Sequence, residues 1–438
     1  MSAPTIPRGE SVERARSEAT PQRRSETRAT PRNRWVIGAV SGIGLGVTFI
    51  VGRDGTPIWQ LMRVLVAGVV TLAVLNVLRR WSAPRQAGVG FAYGLPAVAI
   101  GVGVGIPHAL KVGLAPSTVA GLLCLAGGVG LSVAGALELV RSARRWQRLF
   151  IVPALLFATY ATVWSIGQAV AATNVPRTSV DSTTPADLHV DYRDVEFRAN
   201  DGVRLSGWYI PSSNRAAVVM MHGAGSTRSS VLDHAVVLAR HGYGVLLFDA
   251  RGHGRSDGRA MDFGWFGDLD AAAAVSFLQD QPDVDDTRIA AVGMSMGGEE
   301  ALGAAASDDR IRAVVSEGAT NRMSADRAWL SDEYGWRGVI QEGVEWLLYG
   351  MADVLTVAEP PLSLRDAVSA IAPRPVLLIA AGNVAEEGHA SDYIQDASPN
   401  TVDIWVVPDT GHTAGLDTHP DEWERRVTTF LDGALLVD

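Results

Sequence analysis

The sequence predicts an α/β fold with a mostly parallel, doubly wound sheet and a helical lid insertion, preceded by an all-α transmembrane bundle of about five helices. Five apolar runs, each about long enough to cross a bilayer, follow one another between residues 35 and 172. Beyond residue 192, short apolar runs alternate with helix-like segments, which is typical of a parallel sheet covered on both faces. The pattern Gly293-Met-Ser-Met-Gly297 joins one such run to an alanine-rich segment, as a tight strand–turn–helix connection would.

Composition favours a chain that is partly in a membrane. Only 19% of the 438 residues are charged, whereas about a quarter is usual in soluble domains. The net charge of −9, with arginine concentrated near the N-terminus, does not indicate a nucleic-acid partner. Cys124 is the only cysteine, so one chain can form neither a disulfide framework nor a cysteine-based metal site. We expect no metal and no organic cofactor.

The N-terminal part divides into a tail, a membrane region and a linker. Residues 1–33 are polar and rich in Ser, Thr, Pro and Arg, which predicts a disordered cytoplasmic tail. Residues 34–172 form the predicted transmembrane region, and residues 173–191 read as a linker because they are polar and contain two prolines. The five predicted spans are Trp35–Val51, Ile58–Leu78, Gly88–Leu110, Val112–Leu137 and Leu149–Ala172.

Charges in the loops predict the orientation of the bundle. The first loop has only Arg53, offset by Asp54, and the third has only Lys111, whereas the tail and the second and fourth loops are rich in arginine. The positive-inside rule therefore places the N-terminus in the cytoplasm and everything after Ala172 outside the membrane. The arginines of the second and fourth loops are Arg79, Arg80, Arg85, Arg141, Arg144, Arg145 and Arg148.

The spans themselves indicate an anchor rather than a transport path. Ionisable residues at mid-span would mark a pathway for ions or protons, but Arg63, His108 and Glu138 lie near span ends. Glycines in the third span would allow its neighbours to pack closely against it. These are Gly101, Gly103 and Gly105.

Residues 192–438 form the predicted α/β domain. Its strands are a hairpin around residues 200–202 and then the apolar runs at 216–221, 243–248, 289–292, 311–316, 375–381 and 401–407. The alternation of strand-like and helix-like segments stops at about 318–370, where a segment rich in tryptophan and tyrosine predicts a helical lid over the strand ends. Those aromatic side chains either line an apolar substrate pocket or pin the lid to the core.

Ser295, in the glycine-flanked turn, is the candidate nucleophile. The pattern alone could arise by chance in a chain with 46 glycines, but its strand–turn–helix context favours catalysis. A serine hydroxyl needs a base, and His412 follows the last predicted strand, so it would lie at the same edge of the sheet. His253 reads as a structural turn residue, and four histidines on or beside predicted helices read as solvated, namely His234, His241, His389 and His419.

The sequence does not decide which carboxylate would orient His412. It should follow the strand at 375–381, where Glu386 and Glu387 are the nearest acidic residues, and Glu317 at the end of the preceding strand is a rival. The oxyanion of the reaction needs two backbone N–H donors. We assign these to Met296, after the nucleophile, and to Ala224, in the glycine-rich turn after the strand at 216–221.

Residues 187–438 resemble the α/β-hydrolase superfamily, in particular its dienelactone-hydrolase-like and serine-aminopeptidase-like branches. The segments that carry the resemblance are His222-Gly-Ala-Gly225, Asp249-Ala-Arg-Gly-His-Gly254, Gly293-Met-Ser-Met-Gly297 and Gly411-His412. The family usually places an aspartate a few residues after a glycine that follows the late strand, and here Glu386 or Glu387 replaces it.

The combined prediction is a membrane-anchored serine hydrolase that cleaves an ester, or else an amide or thioester, through a Ser-His-Glu triad and an acyl-enzyme. Its substrate would be a small-molecule or lipid-like acyl compound, and its hydrolase domain would lie outside the cell membrane. Two alternatives remain: an acyltransferase on the same triad, and a non-catalytic binding module that retains the fold. The oligomeric state is not predicted.

Overall fold

The computed structural model describes residue 1 and residues 31–52, 56–80, 83–260 and 262–437. Almost all of the predicted tail at 1–33 therefore lies outside the described residues. The N-terminal half is a helical bundle without strands in its described part. Its helices are α1 (Pro31–Val51), α2 (Pro57–Arg80), α3 (Ala83–Ile100), α4 (Ile106–Val112), α5 (Pro116–Ser142) and α6 (Arg148–Thr173). One π-helical turn, Gly101–Gly105, joins α3 to α4, so that the two run on as a single rod.

Four apolar helices in the described residues are long enough to cross a membrane, rather than the five predicted. They span Pro57–Leu78, Arg85–Val112, Pro116–Ser142 and Arg148–Thr173, and the apolar part of α1, Trp35–Val51, is shorter. Even so, α1 runs along the bundle. Trp35 lines a cavity with Leu78 and Glu138 at one end, and Val51 lines another with Trp59 at the other end.

Glycines in and around the π-helical turn allow three helices to come into backbone contact. A Cβ added at Gly103 would lie 2.3 Å from the Gly167 carbonyl oxygen on α6, and one at Gly101 would lie 2.4 Å from Leu125 Cβ on α5. Gly121 on α5 faces Gly105 just as closely. A side chain at these positions would force the helices apart, so small residues set the bundle's tight packing.

The C-terminal half is an eight-stranded sheet with helices on both faces, and it confirms the predicted fold class. The strand order is β1-β2-β4-β3-β5-β6-β7-β8. The two strands of the predicted hairpin are antiparallel to each other and β2 is antiparallel to β4, whereas all later pairs are parallel. The strands are β1 (Arg193–Arg198), β2 (Arg204–Ile210), β3 (Ala217–Met221), β4 (Gly244–Phe248), β5 (Ile289–Met294), β6 (Ile311–Glu317), β7 (Val376–Ala381) and β8 (Val402–Val407).

Nine helices accompany these strands in the described residues. They are α7 (Leu232–Arg240), α8 (Gly267–Gln279), α9 (Met296–Ser307), α10 (Leu330–Tyr334), α11 (Trp336–Leu355), α12 (Leu364–Ile371), α13 (Ala385–Gln395), α14 (Gly415–Thr418) and α15 (Pro420–Leu435). The apolar side chains of α8, α9 and α12 pack on one face of the sheet, and those of α7 and α15 pack on the other. Because β3, β4, β5 and β7 are covered on both faces, they are continuous apolar runs rather than alternating ones.

The segment between β6 and β7 leaves the sheet and returns. It contains α10 and α11, which lie away from the sheet, and then α12, whose residues Leu364 and Val368 are part of the core. Helix α11 packs along α6 of the bundle, where Ala169 meets Leu348 and Ala352. The predicted lid segment is thus in contact with the apolar N-terminal helices.

Candidate active site

Ser295 stands at a sharp turn between β5 and α9. Its backbone has φ 55° and ψ −125°, a region that residues with a Cβ adopt only under strain. The glycines of the motif allow the strand and the helix to crowd together. A Cβ at Gly293 would lie 2.1 Å from the Gly297 carbonyl oxygen, and one at Gly297 would lie 2.5 Å from the Met221 carbonyl oxygen. The turn thus lifts the serine hydroxyl to the carboxyl edge of the parallel strands.

His412, on the loop after β8, comes within hydrogen-bond distance of this hydroxyl. Its Nε2 lies 2.9 Å from Ser295 Oγ, and its Nδ1 lies 2.6 Å from Glu387 Oε1. A carboxylate can only accept, so Nδ1 carries the proton and donates it to Glu387. In the neutral ring Nε2 is then an acceptor for the serine O–H.

The structure separates the three candidate acids. Glu387 lies in the first turn of α13, is buried, and also accepts a hydrogen bond of 2.8 Å from the Ala381 N–H. Glu386 points away: its side chain is 58% exposed and its carboxylate lies 3.7 Å from the Arg327 guanidinium. Of the two neighbours that the sequence left open, only Glu387 touches His412.

Glu317 lies beneath the site and is held by other partners. It accepts hydrogen bonds from the Gly415 N–H at 2.8 Å and from Trp423 Nε1 at 2.9 Å. Burial raises the pKa of this carboxyl, although both hydrogen bonds oppose the rise. Glu317 thereby holds the segment after His412 against α15, without a hydrogen bond to the imidazole among the described contacts.

The electrostatics around His412 favour its charged form. The hydrogen bond to Glu387 raises the pKa of the imidazole, and partial burial opposes this only in part. Glu387 thus stabilises the imidazolium that forms when the ring accepts a proton from Ser295.

Two backbone N–H groups belong to residues next to Ser295 or to the turn that approaches it. Met296 is the first residue of α9 and Ala224 lies in the turn after β3, and in the described chain neither N–H donates to a protein acceptor. A Cβ at Gly223 would lie only 3.2 Å from Ser295 Cβ, so the glycine lets this turn approach the nucleophile. These are the two positions that the sequence assigned to the oxyanion donors.

His222 shapes that turn from within. Its Nε2 accepts a 3.0 Å hydrogen bond from the Ala250 N–H, so its Nδ1 donates at 2.8 Å to the Gly223 carbonyl. Asp249 fixes the turn after β4. Its carboxylate is fully buried and forms an ion pair of 2.9 Å with Arg228. The residues of both glycine-rich motifs thus hold two neighbouring turns in place.

Sequence reasoning missed two contacts between the N-terminal half and the active-site turn. The Gly225 carbonyl accepts hydrogen bonds from Thr178 Oγ1 at 3.0 Å and from Lys111 Nζ at 3.2 Å. Lys111 attracted notice only as the single charge of its loop, because nothing in a local pattern reveals a contact across more than a hundred residues.

Within the described ranges, no group of three or more His, Cys, Asp or Glu side chains is placed to hold a metal ion.

Comparison with known proteins places the α/β half in context. Residues 212–352 match the family model described as serine aminopeptidase, S33. Among curated relatives, the uncharacterised protein Rv2307c of Mycobacterium tuberculosis is 41% identical over 133 residues, which cover 30% of this chain and 45% of that protein. The thiohydrolase aneE of Aspergillus aculeatus is 36% identical over 134 residues, which cover 28% of this chain and 41% of that protein. The chain thus spans less than half the length of these relatives.

Among solved structures, the esterase Pf2001 of Pyrococcus furiosus is 29% identical, with a TM-score of 0.48 over 60% of this chain and 98% of the esterase. The family match falls on the strands and turns that carry Ala224 and Ser295. The mostly parallel sheet and the strand–turn–helix connection at Ser295 agree with it. The C-terminal half of this chain thus has the fold of the α/β hydrolases, and residues 212–352 match the serine aminopeptidase, S33 family model.

Proposed function

We propose that this protein is a membrane-anchored serine hydrolase that cleaves an acyl ester through Ser295, His412 and Glu387. The observation that carries the proposal is the 2.9 Å contact between Ser295 Oγ and His412 Nε2, made by a serine with a strained backbone. A base this close, itself oriented by a buried carboxylate, is the arrangement that activates a hydroxyl for attack.

The chemistry proceeds in two halves. Ser295 Oγ attacks the acyl carbonyl carbon while its proton passes to His412 Nε2, and the oxyanion that forms accepts hydrogen bonds from the Ala224 and Met296 N–H groups. The C–O bond to the alcohol breaks, the alcohol leaves with the proton from His412, and the acyl group stays on Ser295. Water then gives a proton to His412 while its oxygen attacks the acyl carbon. The bond between that carbon and Ser295 Oγ breaks, Oγ takes the proton back from His412, and the acid is released. The similarity to a protein named thiohydrolase supports testing thioesters beside oxygen esters.

A fluorophosphonate probe tests the proposal directly, because it reacts only with activated serines. The full-length protein in detergent or nanodiscs should be labelled, and Ser295→Ala should not be. The enzyme reading fails if the wild-type protein stays unlabelled, or if Ser295→Ala is labelled to the same extent. An unlabelled wild-type protein would favour a binding module that keeps the fold, whereas equal labelling of Ser295→Ala would place the reactive serine elsewhere.

The pH dependence of the reaction should follow His412. Glu387 holds the pKa of the imidazole above its ordinary value of about 6.5. Only the neutral ring can accept the proton of Ser295, so activity should rise with pH through that raised pKa and fall below it. We expect the acid limb of kcat/KM to have its midpoint above about 6.5. A midpoint at or below that value would mean that Glu387 does not act on the imidazole in the working enzyme.

We further propose that the α/β half lies on the outer side of a cell membrane. Lys111 and the end of α6 face the sheet, whereas Arg141, Arg144 and Arg148 lie at the other end of α5 and α6, where the positive-inside rule favours the cytoplasm. A reporter fused to the C-terminus should therefore be active only in the extracytoplasmic space. A fusion that is active only in the cytoplasm would reverse this placement.

A further inference from the structure

The outward face of α11 is mainly apolar, whereas the outward face of an ordinary surface helix is polar. Large apolar side chains return to this face at intervals of three to seven residues and are exposed, with Trp336 at 70% and Trp346 at 68%. The others on this face are Val339, Ile340, Leu347 and Val354. The inward side carries the buried carboxylate of Glu345, which accepts a 2.7 Å hydrogen bond from Gln341 Nε2. Water would solvate this helix poorly in the orientation that it has.

The position of α11 explains that polarity. It runs beside α6, where Tyr160 Oη donates to Gln341 Oε1 at 2.7 Å and Ser165 Oγ donates to the Val344 carbonyl at 3.1 Å. At its far end, the Arg63 guanidinium of α2 donates to the Val354 carbonyl at 3.2 Å. The helix therefore packs along α6 and reaches α2 at its end, and each of these two helices is long and apolar enough to span a membrane.

The depth of α11 follows from its contacts on α6. Tyr160 precedes the end of α6 at Thr173 by roughly 20 Å, at ~1.5 Å per helical residue. The hydrocarbon layer of a bilayer is about 30 Å thick, so contacts at Tyr160 lie well inside it when α6 crosses. On both sides of α11, the neighbouring helices also present exposed apolar residues, such as Leu65 of α2 and Phe157 of α6.

We infer that the outward face of α11 is immersed in the acyl chains of the bilayer. A bilayer that surrounds α2 and α6 at these levels must also meet the helix that packs along α6 and reaches α2 at its end. The occupant of this face is thus the apolar interior of a lipid leaflet. The inference goes beyond anchoring by the N-terminal helices and does not depend on the proposed catalysis.

Immersion of α11 would bring the bilayer close to the reaction centre. On its inward side, Tyr349 Oη accepts a hydrogen bond from Asn321 Nδ2, and the Asn321 N–H donates to Glu299 at 2.9 Å. Glu299 belongs to the first turn of α9, which begins directly after Ser295. A short chain of hydrogen bonds therefore connects the immersed helix to the turn of the nucleophile.

Site-specific fluorescence quenching in the full-length protein tests the inference. Cys124 is the only cysteine and is replaced by alanine, and then Trp346→Cys and Val339→Cys are each labelled with bimane in phosphatidylcholine nanodiscs. Asp309→Cys is the matched control, because Asp309 is exposed at the amino end of β6, on the opposite edge of the sheet from Ser295. Nitroxide-labelled phosphatidylcholine should quench positions 346 and 339 several-fold more than position 309, and aqueous iodide should show the reverse order.

Two outcomes would overturn the inference. If iodide quenches positions 346 and 339 as strongly as position 309, the face is in water. If neither quencher reaches them, protein covers the face, as a second copy of the chain would. The two labelled positions are independent, so a local disturbance at one of them does not decide the result.

Discussion

Replacement of His412 by alanine is expected to lower kcat/KM for a nitrophenyl ester by about four to six orders of magnitude. Without the imidazole, no described residue within hydrogen-bond reach accepts the proton of Ser295, whose Oγ lies 2.9 Å from His412 Nε2. The residual rate would come from the oxyanion donors and from substrate binding alone. Steady-state hydrolysis by the full-length protein measures the loss.

His241→Ala is the matched control for that experiment. His241 is partly exposed and pairs with Glu424 at 2.7 Å on the surface, so its loss should leave turnover near that of the wild type. A His412→Ala protein that stays folded and keeps activity within about tenfold of wild type would contradict its role as the base.

The substitution Glu387→Gln is expected to reduce kcat by roughly three to four orders of magnitude while the fold persists. Glutamine preserves the shape of the side chain but removes the charge that stabilises the imidazolium. Its amide can also present an N–H to the ring and favour the wrong tautomer. Thermal unfolding and kcat, measured on the same preparations, separate an effect on chemistry from an effect on stability.

Two neighbouring carboxylates serve as controls for this second prediction. Glu386→Gln should behave like the wild type, because Glu386 is exposed and faces Arg327. Glu317→Gln should affect stability, measured as the melting temperature, more than it affects turnover, measured as kcat. The reason is that Glu317 accepts hydrogen bonds from Gly415 and Trp423 instead of from the imidazole. A loss of turnover with Glu386→Gln that equals the loss with Glu387→Gln would contradict the assignment of the acid.

The local pattern of the sequence was sufficient for the fold class. Parallel strands covered on both faces must be continuously apolar, so runs such as 217–221 and 376–381 could be recognised one by one. The turn at Ser295 was recognisable because its crowded backbone tolerates only small flanking residues. The order of strands is a different matter. The exchange of β3 and β4 in the sheet is a long-range arrangement that no local pattern encodes.

The sequence by itself therefore determined the kinds of segment in this chain and the residue types that could react, namely Ser295, His412 and an acid after β7. Tertiary structure decided which acid meets the imidazole. Adjacent residues on a helix point about 100° apart, so Glu386 and Glu387 are alike in sequence but lie on different faces of α13. The tertiary structure also decided that Lys111 reaches Gly225 and that α11 lies along α6. Such contacts join segments far apart in the chain and depend on how the two halves dock.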